Sequence, residues 1–380
     1  MKSIEQIKYG IKFIPVFKQG WCKHLERIIL AVLIAAIFFV ATVEAATPPG
    51  GTVSDEPIAA ADLLMGATAS GLTSNDKFVP SAQAGPARQK LIGTLQLDGA
   101  TMQVLSDSPG GGISNPVLGK DTTFFPDVAI EFFTVDGRLV PTTQDVICNG
   151  ILPETRSYWD IIVQPGRVWS EPEDGRWNRA SFPFSLVNSI EGETHMGIAL
   201  FLYRGRHVSP VRFQIVQMTS PYYVWDNFTA WGISGAHFKP GGIDHVGKRK
   251  RKFRTEQAAQ LPVSEWADLE DLGVDRETLD AFTSFPDVIQ SAVVHEGVLY
   301  RTDCPTAAGP FPYCDEVRYG VWSVTKSSMM NVAMLRLAQK YGADFIDQPV
   351  APYLSVIPPD DKWEAVTFRH LANMASGFWP

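Results

Sequence analysis

The sequence predicts a multidomain chain, with an all-β, sandwich-like domain over residues 91–247 followed by an α/β domain over residues 256–380. Three observations predict it. Short runs rich in β-branched and aromatic residues, separated by turn residues, fill the first stretch with little helical periodicity. A dense basic run, Lys248-Arg-Lys-Arg-Lys-Phe-Arg254, ends that pattern. Beyond it, helix and strand signals alternate and lead into a long apolar helical run after Ser323.

Composition supports a folded chain. At 380 residues, with 45% hydrophobic and 19% charged residues, there is material for two domains and a sizeable core. A formal net charge of −8 argues against a dedicated nucleic-acid binder.

Residues 1–45 read as a secretory signal. Lys2, Lys8, Lys12, Lys18, Lys23 and Arg27 precede the uncharged apolar run Ile28–Val43, and Val43-Glu44-Ala45-Ala46 supplies a small-residue cleavage site after Ala45. The expected location is secreted or periplasmic. The alternative is a chain left uncleaved and anchored by residues 28–43, a run short of the roughly 20 residues a spanning helix needs. Residues 46–90, rich in Ala, Gly, Ser, Pro and Thr, read as a flexible linker. Ser74-Asn-Asp-Lys77 in that stretch fits Ser-x-x-Lys and is taken as incidental.

Within residues 91–247, strands are expected at 91–97, 128–135, 160–163, 197–203 and 211–216. Asp136-Gly137 marks a two-residue hairpin turn, and Arg204-Gly205 marks another turn. Trp159, Trp169, Trp177, Trp225 and Trp231 fall in this domain and fit a core better than a ligand groove. Three weaker motifs carry little. Gly232-Ile-Ser-Gly-Ala236 resembles a nucleophile elbow around Ser234, but Phe238-Lys-Pro-Gly-Gly242 cannot form the helix that an elbow requires. Gly110-Gly-Gly112 reads as a turn, and Asn227-Phe-Thr229 fits a glycosylation acceptor. The basic run, residues 248–255, reads as a solvated interdomain linker.

Farther on, Asp275 is a good N-cap for a helix ending near Phe282. Residues 288–294 and 298–300 read as two strands across the turn His295-Glu-Gly297. Cys22 falls in the signal, leaving Cys148, Cys304 and Cys314. Cys304 and Cys314 bracket a Pro-rich loop and are the candidate disulfide for an oxidising compartment, with unpaired thiols the alternative. No metal-ligand spacing occurs, so neither metal nor cofactor is expected.

Ser323-Val-Thr-Lys326 opens the apolar helical run. Three residues are nearly one helical turn, so the two side chains would share a face. Tyr319-x-x-x-Ser323-x-Thr-Lys326, with strand, turn, strand and loop before it, resembles the β-lactamase-related serine hydrolases, which include class C β-lactamases, D-alanyl-D-alanine carboxypeptidases, esterases and amide hydrolases. Phe345-Ile-Asp-Gln-Pro-Val-Ala-Pro-Tyr-Leu354 and Val366-Thr-Phe-Arg-His-Leu-Ala-Asn-Met-Ala-Ser-Gly-Phe378 are similar to two segments that follow in that family, with Met374 standing where the family has a second His.

The resemblance spans about residues 256–380 and implies an α/β transpeptidase-like domain. It implies Ser323 as nucleophile, Lys326 as its general base, and the Ser323 backbone N–H as half of an oxyanion hole. The partner it implies is a small-molecule or peptide ester or amide. No nucleic acid is expected, and a membrane only if residues 28–43 remain attached. A lysine held in so apolar a helix would be desolvated and its pKa lowered, freeing its amine to accept the serine proton. The family's Tyr-x-Asn/Ser and Lys/His-x-Gly elements are not assigned here: Tyr353-Leu-Ser355 fits the first formally but lies in the post-helix segment. The expectation is the front part of such a domain, with weak activity or none. The alternative is a secreted β-sandwich ligand- or glycan-binding protein carrying a non-catalytic hydrolase remnant.

Overall fold

The computed structural model describes residues 53–67, 69–106, 119–150, 154–188, 193–218, 228–283, 288–318, 329–353 and 363–377. The chain divides into two units, Met1–Tyr319 and Gly320–Pro380. The expected boundary at the basic run is thus displaced by some 70 residues, and residues 256–318 belong with the β-rich unit.

Period-two patterning builds the larger unit. β1 (Ile92–Leu97), β2 (Gln103–Ser106), β3 (Ala129–Val135), β4 (Arg138–Pro141), β5 (Trp159–Val163), β6 (Gly166–Ser170), β7 (Asn178–Asn188), β8 (Thr194–Arg204), β9 (Val211–Met218), β10 (Phe228–Ser234) and β11 (Ala236–Pro240), with the two-residue strands Gly85–Pro86 and His207–Val208, join one antiparallel 13-stranded sheet. The pairing order runs β11-β1-β3-β4-β6-β7-β8-β9-β10-β2, with β5 on β7. β1 leads to β2, and β10 to β11, through short connections, although each pair straddles opposite ends of that order. The sheet therefore curls on itself, and the β-rich domain is one curled sheet where the sequence suggested two stacked ones. Asp136 (φ 50°) and Gly137 (φ 75°) make the β3–β4 turn, the left-handed pair that a two-residue hairpin needs.

Inside the curl, alternate residues of the strands form the main core. Phe182 and Phe184 of β7, Phe201 of β8, Phe213 of β9 and Trp159 of β5 are all at most 1% exposed. Phe125 stacks on Phe213 at 3.9 Å. Trp159 and Trp169 are buried, and Trp177 and Trp231 pack against the core edge, so these four are structural; Trp225 lies outside the described residues.

β8 is apolar on both faces. Its outward Met196, Ile198, Leu200 and Leu202 need a cover, as any strand apolar on both sides does. Ile58, Leu63, Leu72 and Phe78 supply it, Leu63 from the short helix α1 (Ala60–Met65). Residues 53–90 are therefore a packed cover rather than a flexible linker. The Gln214 side chain, which accepts from Thr73 N at 2.9 Å and donates to Thr73 O at 2.8 Å, fixes this cover to β9. The low-complexity composition hid four well-spaced apolar residues, which suffice because the sheet offers them a preformed face.

The basic run is likewise not a linker. It forms α2 (Val246–Ala258), whose Val246 and Phe253, seven residues apart and so on one face, pack with Ile243 on Phe133, Val135 and Val140. Beyond it, β12 (Val263–Glu265), β13 (Ala292–His295) and β14 (Val298–Arg301) form a small sheet. Asp275 caps α3 (Arg276–Ala281), accepting from Thr278 N at 2.8 Å.

In the smaller unit, α4 (Asn331–Tyr341) carries the apolar run that follows Ser323. Burial of this helix was expected, yet Val332 is 59% and Leu335 68% exposed. Its described neighbour in this unit, the short turn Ala343–Asp347, is too small to cover a helix face.

Candidate functional site

Ser323 and Lys326, the expected nucleophile and base, lie outside the described residues, as does the Ser323 backbone N–H. The segments on either side are described, each within its own unit.

In the larger unit, Cys304 and Cys314 are disulfide-bonded with Cα atoms 5.7 Å apart. The loop they close lies on the outer face of the sheet, where Cys304, Ala308, Phe311 and Tyr313 are at most 3% exposed. Asn75 donates from Nδ2 to Thr306 Oγ1 at 2.9 Å and to Gly309 O at 3.0 Å, tying loop and cover together. The segment Ser74–Lys77 thus has a structural role, with Asn75 and Phe78 buried.

Directly after this loop, Glu316 pairs with Arg138 of β4; their side chains are 12% and 25% exposed. Arg138 stands opposite Arg167 of β6, which stands opposite Ser181 of β7, and cross-strand partners share a face. The Tyr313 ring lies beside Arg167, 5.9 Å from the guanidinium carbon. Burial pushes the Tyr313 hydroxyl up to about 12 and raises the Glu316 carboxyl above its ordinary range, with Arg138 opposing the latter shift. No sequence signal pointed to this cluster, because its members are contributed by β4, β6, β7 and a loop more than 130 residues later.

Beside it is a cavity of about 490 Å³ between β4, the following loop, α2 and residues 315–318. Phe133, Val140 and Phe253 form its apolar part, while Gln144, Asp145, Gln257 and Gln260 contribute polar groups. Much of the lining charge is already paired. Arg318 donates to Gln144 at 3.0 Å, Arg249 to Thr142 O at 3.1 Å, and Lys252 lies 3.4 Å from Glu256. Its mixed apolar and polar lining suits a small polar molecule.

His195 of β8 is fully buried, tilted over Phe228 at 4.4 Å and edge-on to Trp159 at 5.1 Å. Among the described residues neither ring nitrogen has a hydrogen-bond partner, and burial pushes its pKa down to about 3. Ser234 ends β10, directs its hydroxyl to Gly235 O at 2.9 Å and is followed by the strand β11, so it does not occupy a strand-to-helix elbow.

In the smaller unit the two segments that resemble the hydrolase family meet. Arg369 donates Nε to Asp347 Oδ1 at 2.6 Å and Nη2 to Asp347 Oδ2 at 2.9 Å. Val350 N donates to Val366 O at 2.9 Å, and Phe345 stacks on Phe368 at 4.7 Å. Thr367 caps α5 (Phe368–Ala372). Hydrogen bonding to Arg369 holds the Asp347 carboxyl below the usual range.

No protein-family model matches the chain, and neither a curated protein nor a solved structure matches it. Among the described residues no helix is long and apolar enough to cross a membrane, and no group of three or more His, Cys, Asp or Glu side chains is placed to hold a metal.

Proposed function

We propose that the chain is an exported serine hydrolase of the β-lactamase-related type. Ser323 Oγ attacks an ester or amide carbonyl as Lys326 Nζ takes its proton. The Ser323 backbone N–H stabilises the oxyanion, the leaving alcohol or amine departs, and water then hydrolyses the acyl-enzyme. The observation that carries the reading is the meeting of the two family-like segments downstream of Ser323 through their own motif residues, Asp347 with Arg369 and Val350 with Val366. A chance Ser-x-x-Lys match gives no reason for those segments to pair. The residues that take the family's tyrosine and Lys/His-x-Gly roles are unassigned.

The test is labelling with a fluorescent penicillin and a fluorescent acyl phosphonate, comparing the chain with Ser323→Ala. Label at Ser323 that disappears in the variant supports the reading; absence of label from both probes sinks it. The cavity of about 490 Å³ favours a second reading, a secreted binding protein built on the curled sheet. Glycan or amino-acid binding that Ser323→Ala leaves intact would favour that reading.

A further inference from the structure

Helix α2 carries six cations, Lys248, Arg249, Lys250, Arg251, Lys252 and Arg254, against one carboxylate, Glu256, on a chain whose formal net charge is −8. The helix geometry sorts them. Val246, Arg249, Phe253 and Gln257 face the sheet, whereas Lys248 and Arg251 project outward and Lys252 lies on the flank beside the cavity. Some of the charge is spent: Arg254 makes a two-bond pair with Asp136 at 2.7 and 2.8 Å, and Arg249 donates to the carbonyls of Asp244 and Thr142. Among the described residues Lys248, Lys250 and Arg251 have no carboxylate partner. Lys90 adds a further cation beside Lys250. Burial first, then the charges of Lys90 and Arg254, depress the Lys250 pKa, with Asp136 opposing, so positive charge outweighs negative around this side chain.

We propose that the outward face of α2 docks the β-rich unit on an anionic lipid surface. The cations sit on one convex helix of 13 residues, about 20 Å long, and meet a plane of headgroup phosphates without deformation. A nucleic-acid strand is the poorer fit, because it calls for a groove with aromatic platforms and the outward arc of α2 holds only Lys, Arg and Thr. The chemistry of the partner also accords with the proposed export or anchoring through residues 28–43, which brings the chain to a bilayer; the docking inference rests on that reading only for the place of encounter. It is independent of Ser323.

The test is co-sedimentation of the full-length protein with phosphatidylcholine vesicles and with vesicles containing about one third phosphatidylglycerol. The apolar segment 28–43 contributes to both, and the basic residues of 1–27 add the same anionic preference to every variant, so the change in the ratio between the unmodified protein and an α2 variant reports α2. Each cation near an anionic surface is worth about fivefold, so the ratio falls about 25-fold in Lys248→Gln/Arg251→Gln and shrinks as salt rises from 0.1 to 0.5 M. Both replaced side chains are exposed, and an unchanged circular dichroism spectrum verifies the fold. A ratio near one for the unmodified protein overturns the proposal. So does a ratio that the double variant leaves unchanged, or tighter binding to a DNA duplex than to the anionic vesicles.

Discussion

Arg369 grips Asp347 with two parallel hydrogen bonds, joining segments 22 residues apart at the foot of α5. Planar guanidinium matches planar carboxylate, so the pair fixes orientation as well as distance. Replacing Arg369 by Ala should loosen residues 345–372 while leaving the curled sheet unaffected. Hydrogen exchange with mass spectrometry would show lost protection confined to the smaller unit. Asp347 has a depressed pKa in the folded chain, so its contribution is present above the ordinary aspartate range and is lost as pH falls through the folded value. The same peptides should therefore lose protection, corrected for intrinsic exchange rates, below about pH 4.

Glu316 and Arg138 behave differently because they are largely buried. Arg138→Ala leaves a carboxylate in a poorly solvated place and should cost about 3 kcal/mol by denaturant titration. Arg138→Met with Glu316→Leu removes both charges and should recover most of that loss. If the double variant is as unstable as the single one, desolvation is not the cause.

His195 predicts an acid limb of stability. Its folded pKa of about 3 lies far below the unfolded histidine value, so the unfolded chain binds the extra proton as pH falls through 6.5. Stability is complete above that value and declines between it and the folded value, by about 2 kcal/mol on going from pH 7.5 to 5. His195→Phe, an aromatic of similar shape between Trp159 and Phe228, should flatten this dependence in urea titrations at the two pH values.

Cys304–Cys314 closes a short loop against the outer face of β8. Cys304→Ala/Cys314→Ala should lower stability by about 2.5 kcal/mol, the order expected for a loop of this length. Limited proteolysis should then cut within residues 305–313, where the native loop resists.

Much of the β-rich unit was legible from local pattern. The runs at 91–97, 128–135, 160–163 and 211–216 match strands to within two residues, and Asp136, Gly137 and Gly297 adopt the positive φ values that Asp and Gly tolerate in turns. Local chemistry dictates such features, because alternation and turn preference act over a few residues. The cover over residues 53–90 and the helix at the basic run were not legible. Each depends on an apolar face that the sheet offers only once folded, Met196, Ile198, Leu200 and Leu202 in one case and Phe133, Val135 and Val140 in the other. Among the described residues Val332 and Leu335 of α4 are exposed, and an apolar run states only what a helix can bury.

For the proposed site, the sequence by itself determined the order of its parts: Ser323 and Lys326 three residues apart, then the Asp347 and Arg369 segments. It also supplied the Cys304–Cys314 pairing as a candidate. Tertiary structure alone decided that Asp347 meets Arg369, that Glu316 meets Arg138 across 178 residues, and that the basic run becomes a helix with one face outward. Spacing along a chain encodes contacts within a turn or a hairpin. Contacts between distant elements are set by which faces remain to be covered after the sheet has closed, and no local pattern carries that information.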